Sequence, residues 1–344
     1  MDREFTEKLT IFWESGAIML VDQTKLPIAY KLIKITTINQ LINAINRLKV
    51  RGAPALGAAG AYGIALAAHN SRARTVSKLK THVHAAGRSI LATRPTAANL
   101  FYGVDRVLKA IEPCITSDEV RETALDEAIR IAEEDVITNK ALSVVGASLL
   151  KDGDVVMTYC NAGRLATVGW GTALGVIRSA VKEGKRIAVY ACETRPLNQG
   201  SRITAFELLE DNIPTTLIAD NMAAWMMRQG KIDHVIVGAD RITRSEVYNK
   251  VGTYMLAICA KNHGIPFYVA APLSTFDFES SVVKIEERDA NELRFWGGQQ
   301  IAPSAVQVEN PAFDATPVEF ITGIITEEGI IDPQHVFHRS DTRS

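Results

Sequence analysis

After residue 152 the chain alternates short runs of β-branched and apolar residues with helical stretches, and this rhythm restricts the fold more than any other feature. Such alternation is typical of βαβ units, in which parallel strands form one sheet with helices on its faces. The sequence therefore predicts an α/β fold with a Rossmann-like parallel sheet. The five predicted strands are 155–159, 187–191, 215–218, 234–237 and 266–270, and the predicted helices between them start near Gly171, Ser201, Asn221 and Gly252.

The first part of the chain has a mainly helical periodicity. Apolar residues recur at steps of three and four between residues 38 and 48, and residues 116–119 match a capping box before a long amphipathic stretch. Short alternating pieces between residues 5 and 35 predict a small antiparallel sheet. We therefore expect two domains: a smaller, mostly helical N-terminal domain with that sheet over residues 1–130, and a Rossmann-like catalytic domain over residues 131–344.

The net charge and the lengths of the apolar runs exclude some classes of binding partner. The net charge is -1, so there is no overall basic field of the kind that nucleic-acid binding uses, and we expect no nucleic-acid partner. The longest apolar runs are too short to span a bilayer, which predicts no membrane association. Residues 1–5 lack the layout of a secretory signal, so we expect the protein in the cytoplasm.

Cysteine and glycine patterns bear on cofactors. The four cysteines show no CxxC pairing, so neither a zinc site nor a disulfide framework is predicted. No GxGxxG follows the first predicted strand, which argues against dinucleotide binding. We therefore expect neither a metal nor a cofactor.

Polar residues follow the predicted strands, at the edge where ligands bind in open parallel sheets. Cys160 follows the first strand, and Asp240 follows the fourth. A carboxylate shielded from water there could take up and release a proton near neutral pH, although Asp240 could equally form a surface pair with Arg241. Cys160 could be a small core residue, and Cys192 also lies near a strand end. The residues alone do not decide between the two thiols.

Two arginines precede predicted helices in the N-terminal half. Arg51 lies before an Ala/Gly-rich helix, and Arg94 lies before another. A helix N-terminus and a guanidinium together suit a phosphate, although either arginine could cap a neighbouring helix instead. Lys250 could add a third positive group, or could simply be solvated.

Eight segments together are specific for one family. They are Arg51-Gly52-Ala53-Pro54-Ala55-Leu56-Gly57, Thr93-Arg94-Pro95-Thr96, Cys160-Asn161-Ala162-Gly163, residues 171–178, Glu193-Thr194-Arg195-Pro196, Gln199-Gly200, Gly238-Ala239-Asp240-Arg241-Ile242, and Asn249-Lys250-Val251-Gly252-Thr253-Tyr254. On these segments the chain closely resembles the methylthioribose-1-phosphate isomerases, over nearly its whole length. Their superfamily also contains regulatory subunits of the translation-initiation guanine-nucleotide exchange factor.

The resemblance implies an aldose–ketose isomerase of methionine salvage that acts on a small sugar phosphate as a homodimer. It implies that Cys160 and Asp240 are catalytic. The substrate contacts that it implies are Arg51, Gly52, Ala53, Arg94, Gln199, Asn249 and Lys250.

The chain departs from the family pattern beside these residues. Ala162 and Arg164 stand where the isomerases usually have threonine and a small residue, and residues 243–248 replace an Asn-Gly-Asp loop. These changes leave open a related substrate, 5-deoxyribose 1-phosphate or ribose 1,5-bisphosphate. A non-catalytic regulatory subunit is the alternative from another class, but the resemblance implies that such subunits lack the residues matched by Cys160 and Asp240 together with the arginine and glutamine contacts.

Overall fold

The computed structural model describes residues 8–279 and 283–333, which divide into two compact units. Among these residues, a helical unit comprises 8–140 and 162–171, and a sheet unit comprises 141–161, 172–279 and 283–333. The boundary predicted after residue 130 falls inside the continuous helix Ser117–Ala147, along which the unit changes only after residue 140. The helical periodicity of the sequence continues along this helix, so it does not indicate where one unit ends and the other begins.

The helical unit starts with three strands paired as an antiparallel sheet, which confirms the small sheet predicted from the sequence. The capping box at the start of the long helix is also confirmed: the Glu119 N–H donates to Thr116 Oγ1 at 3.2 Å, and Glu119 Oε2 accepts the Thr116 N–H at 3.0 Å. The elements are β1 (Ile11–Glu14), β2 (Ala17–Val21), β3 (Leu32–Ile35), α1 (Ile38–Asn46), α2 (Ala53–Asn70), α3 (Val76–Leu91), α4 (Ala98–Ile111) and α5 (Ser117–Ala147).

α2 is the centre of this unit and is buried on nearly every side. It packs against α4 at a point where two glycines face each other: a Cβ on Gly103 would lie 2.0 Å from the carbonyl oxygen of Gly57. The small residues of α2 therefore serve close helix packing. Among the described residues, no helix is long and apolar enough to cross a membrane.

The sheet unit contains a seven-stranded sheet in the order β15-β14-β10-β7-β4-β5-β6, parallel except for β15. The five predicted strands are confirmed to within a residue, so the predicted fold class is confirmed. The elements are β4 (Val155–Thr158), α6 (Ala173–Lys182), β5 (Ala188–Cys192), α7 (Ala205–Glu210), β6 (Thr215–Ile218), α8 (Ala223–Arg228), β7 (His234–Val237), β8 (Arg241–Ile242), β9 (Glu246–Lys250), α9 (Thr253–Asn262), β10 (Phe267–Ala270), α10 (Asn291–Arg294), β11 (Phe295–Trp296), β12 (Gln299–Gln300), β13 (Phe313–Pro317), β14 (Gly323–Thr326) and β15 (Gly329–Ile331).

A second sheet of three antiparallel strands, β8, β9 and β13, was not predicted. It pairs β9 with a strand that lies more than sixty residues later in the chain, and β13 places Phe313 opposite Lys250 and Asp314 opposite Asn249. This sheet matters for function because β9 carries two of the candidate substrate contacts.

Asp135 ties α5 to the segment 162–171 within the helical unit. Its Oδ2 accepts the Val168 N–H at 2.7 Å, and the Asn139 side chain and the Gly169 N–H also donate to it. Burial raises the pKa of Asp135 to about 7, and these hydrogen bonds only partly oppose the rise.

This raised pKa predicts a pH-dependent stability. Between about pH 4 and pH 7 the folded chain binds more protons at Asp135 than the unfolded chain does. The free energy of unfolding, relative to Asp135→Asn, should therefore fall as the pH rises from about 5 to 7, by at most about 1.4 kcal/mol per pH unit. Urea unfolding at several pH values measures the difference, and Asp126→Asn, an exposed change on the same helix, should show no such trend. Parallel pH curves for the wild type and Asp135→Asn would contradict the prediction.

Candidate active site

Cys160 follows β4 directly and has an unusual backbone conformation. Its φ is +60°, in the left-handed region, where a residue with a side chain costs about 1–3 kcal/mol. Its N–H donates to Thr194 Oγ1 at 2.8 Å, and its carbonyl oxygen accepts from Thr204 Oγ1 at 2.5 Å. The surrounding side chains therefore hold the residue in a conformation that it would not adopt by itself.

Hydrogen bonds join the carboxyl ends of three adjacent strands. Asp220, after β6, accepts the N–H groups of Thr194 and Arg195, after β5, at 2.8 and 2.7 Å. Thr194 in turn accepts from Cys160, after β4. Burial, together with the charge of Asp220, raises the pKa of Glu193, while Arg195 opposes the rise. Asp220 was not among the candidate site residues predicted from the sequence.

Asp240 follows β7 at the same edge. It is half-buried, and its N–H donates to the carbonyl oxygen of Tyr248 at 2.9 Å. This bond extends the β8–β9 hairpin, which returns the chain so that Asn249 and Lys250 end β9. Asn249 Nδ2 donates to Thr253 Oγ1 at 3.0 Å, and the Thr253 hydroxyl donates to the Lys250 carbonyl oxygen at 2.6 Å.

Lys250 connects the two predicted catalytic residues electrostatically. Only 7% of it is exposed, and burial lowers the pKa of its ammonium group. The charges of Cys160, Asp240 and Glu292 oppose that lowering, while Arg288 adds to it. The ammonium also lies 5.7 Å from the centre of the Phe313 ring. Cys160 and Asp240, which come from different strand ends, are thus both within electrostatic reach of one buried cation.

Asp314 is a residue of this edge that sequence reasoning missed. Burial raises its pKa to about 6, while the N–H groups of Gly252 and Tyr254 and the charge of Lys250 lower it. A side chain at position 252 would clash, because a Cβ on Gly252 would lie 2.2 Å from the Tyr159 hydroxyl. Asp314 could be recognised only from its position opposite Asn249 in the β9–β13 pair, which the sequence alone does not show.

Gln199 is buried at the start of a π-helical turn, Gly200–Thr204, that leads into α7. Within the part of the chain that the structure describes, its Oε1 has no hydrogen-bond partner. A buried acceptor without a donor is costly, so this oxygen is suited to a donor from a ligand.

Cys192 differs from Cys160 in burial. It ends β5 with no exposed surface, and burial, aided by the charges of Asp220 and Glu193, raises the pKa of its thiol far above the ordinary value. A thiol that stays protonated is a poor base or nucleophile. The structure therefore favours Cys160 over its rival.

The other predicted contacts lie in the helical unit. Arg51 Nε donates to Gln23 Oε1 at 3.0 Å, and Gln23 Nε2 donates to the Leu165 carbonyl oxygen at 2.7 Å. Gly52, with φ +94°, is the N-cap of α2, and Ala53 is the first residue of that helix. Arg94 lies in the turn before α4.

In the described part of the chain, the N-cap residues Gly52 of α2 and Ala97 of α4 offer no side-chain acceptor to the first N–H groups of their helices. An uncapped helix N-terminus can bind an anion, and a phosphate site at these two arginine-bearing helix entrances stays a prediction. Among the described residues, no group of three or more His, Cys, Asp or Glu side chains is arranged to hold a metal ion.

Comparison with known proteins gives consistent matches over nearly the whole chain. The profile of the Initiation factor 2 subunit family matches residues 49–333. The putative methylthioribose-1-phosphate isomerase of Methanosarcina acetivorans is 58% identical over 328 residues, which are 94% of this chain and 94% of that protein.

Two solved structures are similar to this chain. The crystal structure of 5-methylthioribose 1-phosphate isomerase from Pyrococcus horikoshii OT3 has a TM-score of 0.92 and 40% identity, and the match covers 98% of this chain and 97% of that one. The structure described as translation initiation factor eIF-2B, subunit delta, from A. fulgidus has a TM-score of 0.88 and 56% identity, with 96% and 97% covered. The expected resemblance is confirmed.

Gly52 should tolerate no side chain. A Cβ there would lie 2.2 Å from the carbonyl oxygen of Ala166, a backbone atom that cannot move away easily. We expect Gly52→Ala to lower the free energy of unfolding, measured by urea denaturation, by about 1–3 kcal/mol more than Gly16→Ala does. Gly16 is the matched control, because it also has a positive φ but faces only the end of the flexible His69 side chain. Equal losses in the two variants would show that φ alone, and not the close approach, determines the effect.

Proposed function

The chain belongs to the Initiation factor 2 subunit family, and we propose that it acts as a methylthioribose-1-phosphate isomerase. In that reaction 5-methylthioribose 1-phosphate is converted into 5-methylthioribulose 1-phosphate, an aldose–ketose isomerisation of methionine salvage. Relatives at 47–58% identity over most of the chain carry this name. The observation that carries the proposal is the grouping of Cys160 and Asp240 around the buried Lys250 ammonium.

The chemistry of the substrate explains why both an acid–base pair and a cation are needed. The anomeric oxygen of a sugar 1-phosphate is esterified, so the ring cannot open as that of a free aldose does. In the proposed reaction, Asp240 donates a proton to the ring oxygen as the C1–O bond breaks. The C2 hydrogen is then transferred to C1, and the C2 hydroxyl gives its proton to the Asp240 carboxylate, which leaves the ketone and restores the protonated acid. Cys160 is the partner of Asp240 in these transfers.

The hydrogen can move from C2 to C1 in two ways that are compatible with the grouping of Cys160 and Asp240 around Lys250. If the hydrogen leaves as a proton, with Cys160 either exchanging it or stabilising the enediol, solvent deuterium enters the product. If it moves as a hydride, the product made in deuterium oxide carries no deuterium at C1. Mass spectrometry of that product distinguishes the two.

The proposed substrate contacts have separate supports. Lys250 supplies a positive charge beside the catalytic pair, Asn249 lies next to it, and Gln199 Oε1 can accept a hydrogen bond from a sugar hydroxyl. For the phosphate we propose Arg51 and Arg94, with the N–H groups at Gly52 and Ala53, because each arginine lies at a helix entrance without a side-chain cap.

Two alternatives are supported by specific observations. Ala162 and Arg164 beside the catalytic cysteine favour testing a related sugar, 5-deoxyribose 1-phosphate or ribose 1,5-bisphosphate. The second structure compared above is described as an initiation-factor subunit, which favours testing a non-catalytic role. Turnover distinguishes a subunit of that kind from any isomerase.

The purified protein should convert methylthioribose 1-phosphate faster than the other two sugars, measured by product formation in parallel assays. Asp240→Asn and Cys160→Ser should each lower kcat about 10²- to 10⁴-fold, because each removes an acid–base group. Cys259→Ser is the matched control, since Cys259 is a half-buried thiol of α9, and its turnover should be unchanged. No turnover of any of the three sugars would refute the isomerase proposal, and near-normal turnover by both folded variants would refute the assignment of the pair.

We also propose that the protein is a homodimer, as the resemblance implies, and that it is cytoplasmic. Large apolar side chains are exposed on α8 and α9, which pack against each other: Trp225 is 53% exposed and Met255 is 42% exposed. Apolar area of this kind is typical of a surface that another chain covers.

Light scattering after gel filtration should give a mass about twice 37.6 kDa. The double variant Trp225→Glu with Met255→Glu should be a monomer, since it places charges on the proposed contact. Leu32→Glu is the control, because Leu32 is equally exposed but lies on β3 of the helical unit. A wild type that runs as a monomer at all concentrations would contradict the proposal.

A further inference from the structure

Two threonines hold the backbone of Cys160 from both sides. Thr194 comes from the loop after β5, and Thr204 ends the π-helical turn before α7. Both are fully buried. The first accepts the N–H of Cys160 and the second donates to its carbonyl oxygen, so the two peptide groups around the left-handed Cys160 are both fixed.

The direction of each hydrogen bond follows from the other partners of the hydroxyls. The Thr194 hydroxyl donates to the Cys192 carbonyl oxygen at 3.1 Å, which leaves its lone pairs to accept from Cys160. The Thr204 oxygen accepts from Asn161 Nδ2 at 3.2 Å, which leaves its proton for the Cys160 carbonyl oxygen. Neither hydroxyl can turn to another partner without losing one of its bonds.

Each threonine is itself held by groups from neighbouring elements. The N–H of Thr194 is fixed by Asp220 at 2.8 Å. Gly200 lets the turn that carries Thr204 approach β5, because a Cβ on Gly200 would lie 1.7 Å from the Cys192 carbonyl oxygen. Asn161 Nδ2 also donates to Glu207 Oε1 at 3.0 Å. The hydroxyls therefore have fixed positions relative to β4 before any ligand binds.

We propose that Thr194 and Thr204 are positioning residues, which hold Cys160 in its left-handed conformation and so keep its thiol beside the Lys250 ammonium. The proposal rests on the proposed isomerase function for its kinetic consequence, but its structural part concerns Cys160 alone. Without either hydroxyl, the residue relaxes toward ordinary backbone conformations, and the thiol leaves the position that the reaction requires.

The test compares valine and serine at both positions. Thr194→Val and Thr204→Val keep the shape and remove the hydroxyl, whereas the serine variants keep the hydroxyl. We expect each valine variant to lower kcat about 10- to 100-fold with KM nearly unchanged, and each serine variant to restore most of the activity. The rate at which iodoacetamide alkylates Cys160, followed by peptide mass spectrometry across a pH series, should change in the valine variants and return toward the wild-type profile in the serine variants.

Thr326→Val is the matched control. Thr326 is also fully buried in the sheet unit, but its hydroxyl donates to the Gly329 carbonyl oxygen at 2.8 Å and accepts the Glu328 N–H at 3.3 Å, both in the β14–β15 hairpin. It should lose a comparable amount of stability and leave both kcat and the alkylation profile unchanged. The proposal is overturned if Thr326→Val matches the other valine variants, if serine does no better than valine, or if the alkylation of Cys160 stays unchanged.

The alkylation measurement separates this proposal from the proposed function. If the wild type turns over no sugar phosphate, the isomerase function fails. A changed alkylation profile in the valine variants would then still support the positioning of Cys160, and an unchanged profile would refute it.

Discussion

The candidate site depends on the burial of one ammonium group. Lys250 is almost fully buried, and an isolated charge in such a place is strongly disfavoured unless opposite charges accompany it. Cys160, Asp240 and Glu292 supply that compensation, and their strand ends and loops must therefore converge on β9. The second small sheet, which pairs β9 with β13, is the element that keeps Lys250 there.

A second buried ionic cluster supports the thiol side of this edge. Arg178 of α6 is fully buried and pairs with Glu207 and Asp211 of α7 and the turn after it. Glu207 also accepts from Asn161, the residue after Cys160. The helix that follows Thr204 is thus anchored by charge as well as by packing, which explains how the structure maintains a left-handed cysteine that local preferences disfavour.

Features that depend on residues close together in the chain could be predicted from the sequence, whereas features that depend on distant residues could not. The five strands and the Thr116 capping box are local patterns, and each was predicted closely. Asp240 could be placed at the edge of the sheet because the end of a strand can be predicted from the local pattern of that strand alone. Asp314 could not, since its role depends on a register set by a strand far away in the chain.

The choice between Cys160 and Cys192 could not be predicted from spacing either. Both follow or end a strand, and the resemblance alone separated them. The difference lies in burial and in neighbouring charges, which raise the pKa of Cys192 and place Cys160 beside a cation. These are properties of packing between elements, and no local pattern encodes them. The isomerase interpretation has the same physical basis: a buried ammonium and a buried Gln199 oxygen, which has no hydrogen-bond partner among the described residues, lower stability compared with apolar residues of similar size. The proposed contacts with a sugar phosphate would offset that cost, because the substrate brings a negative charge and hydroxyl donors to these two groups.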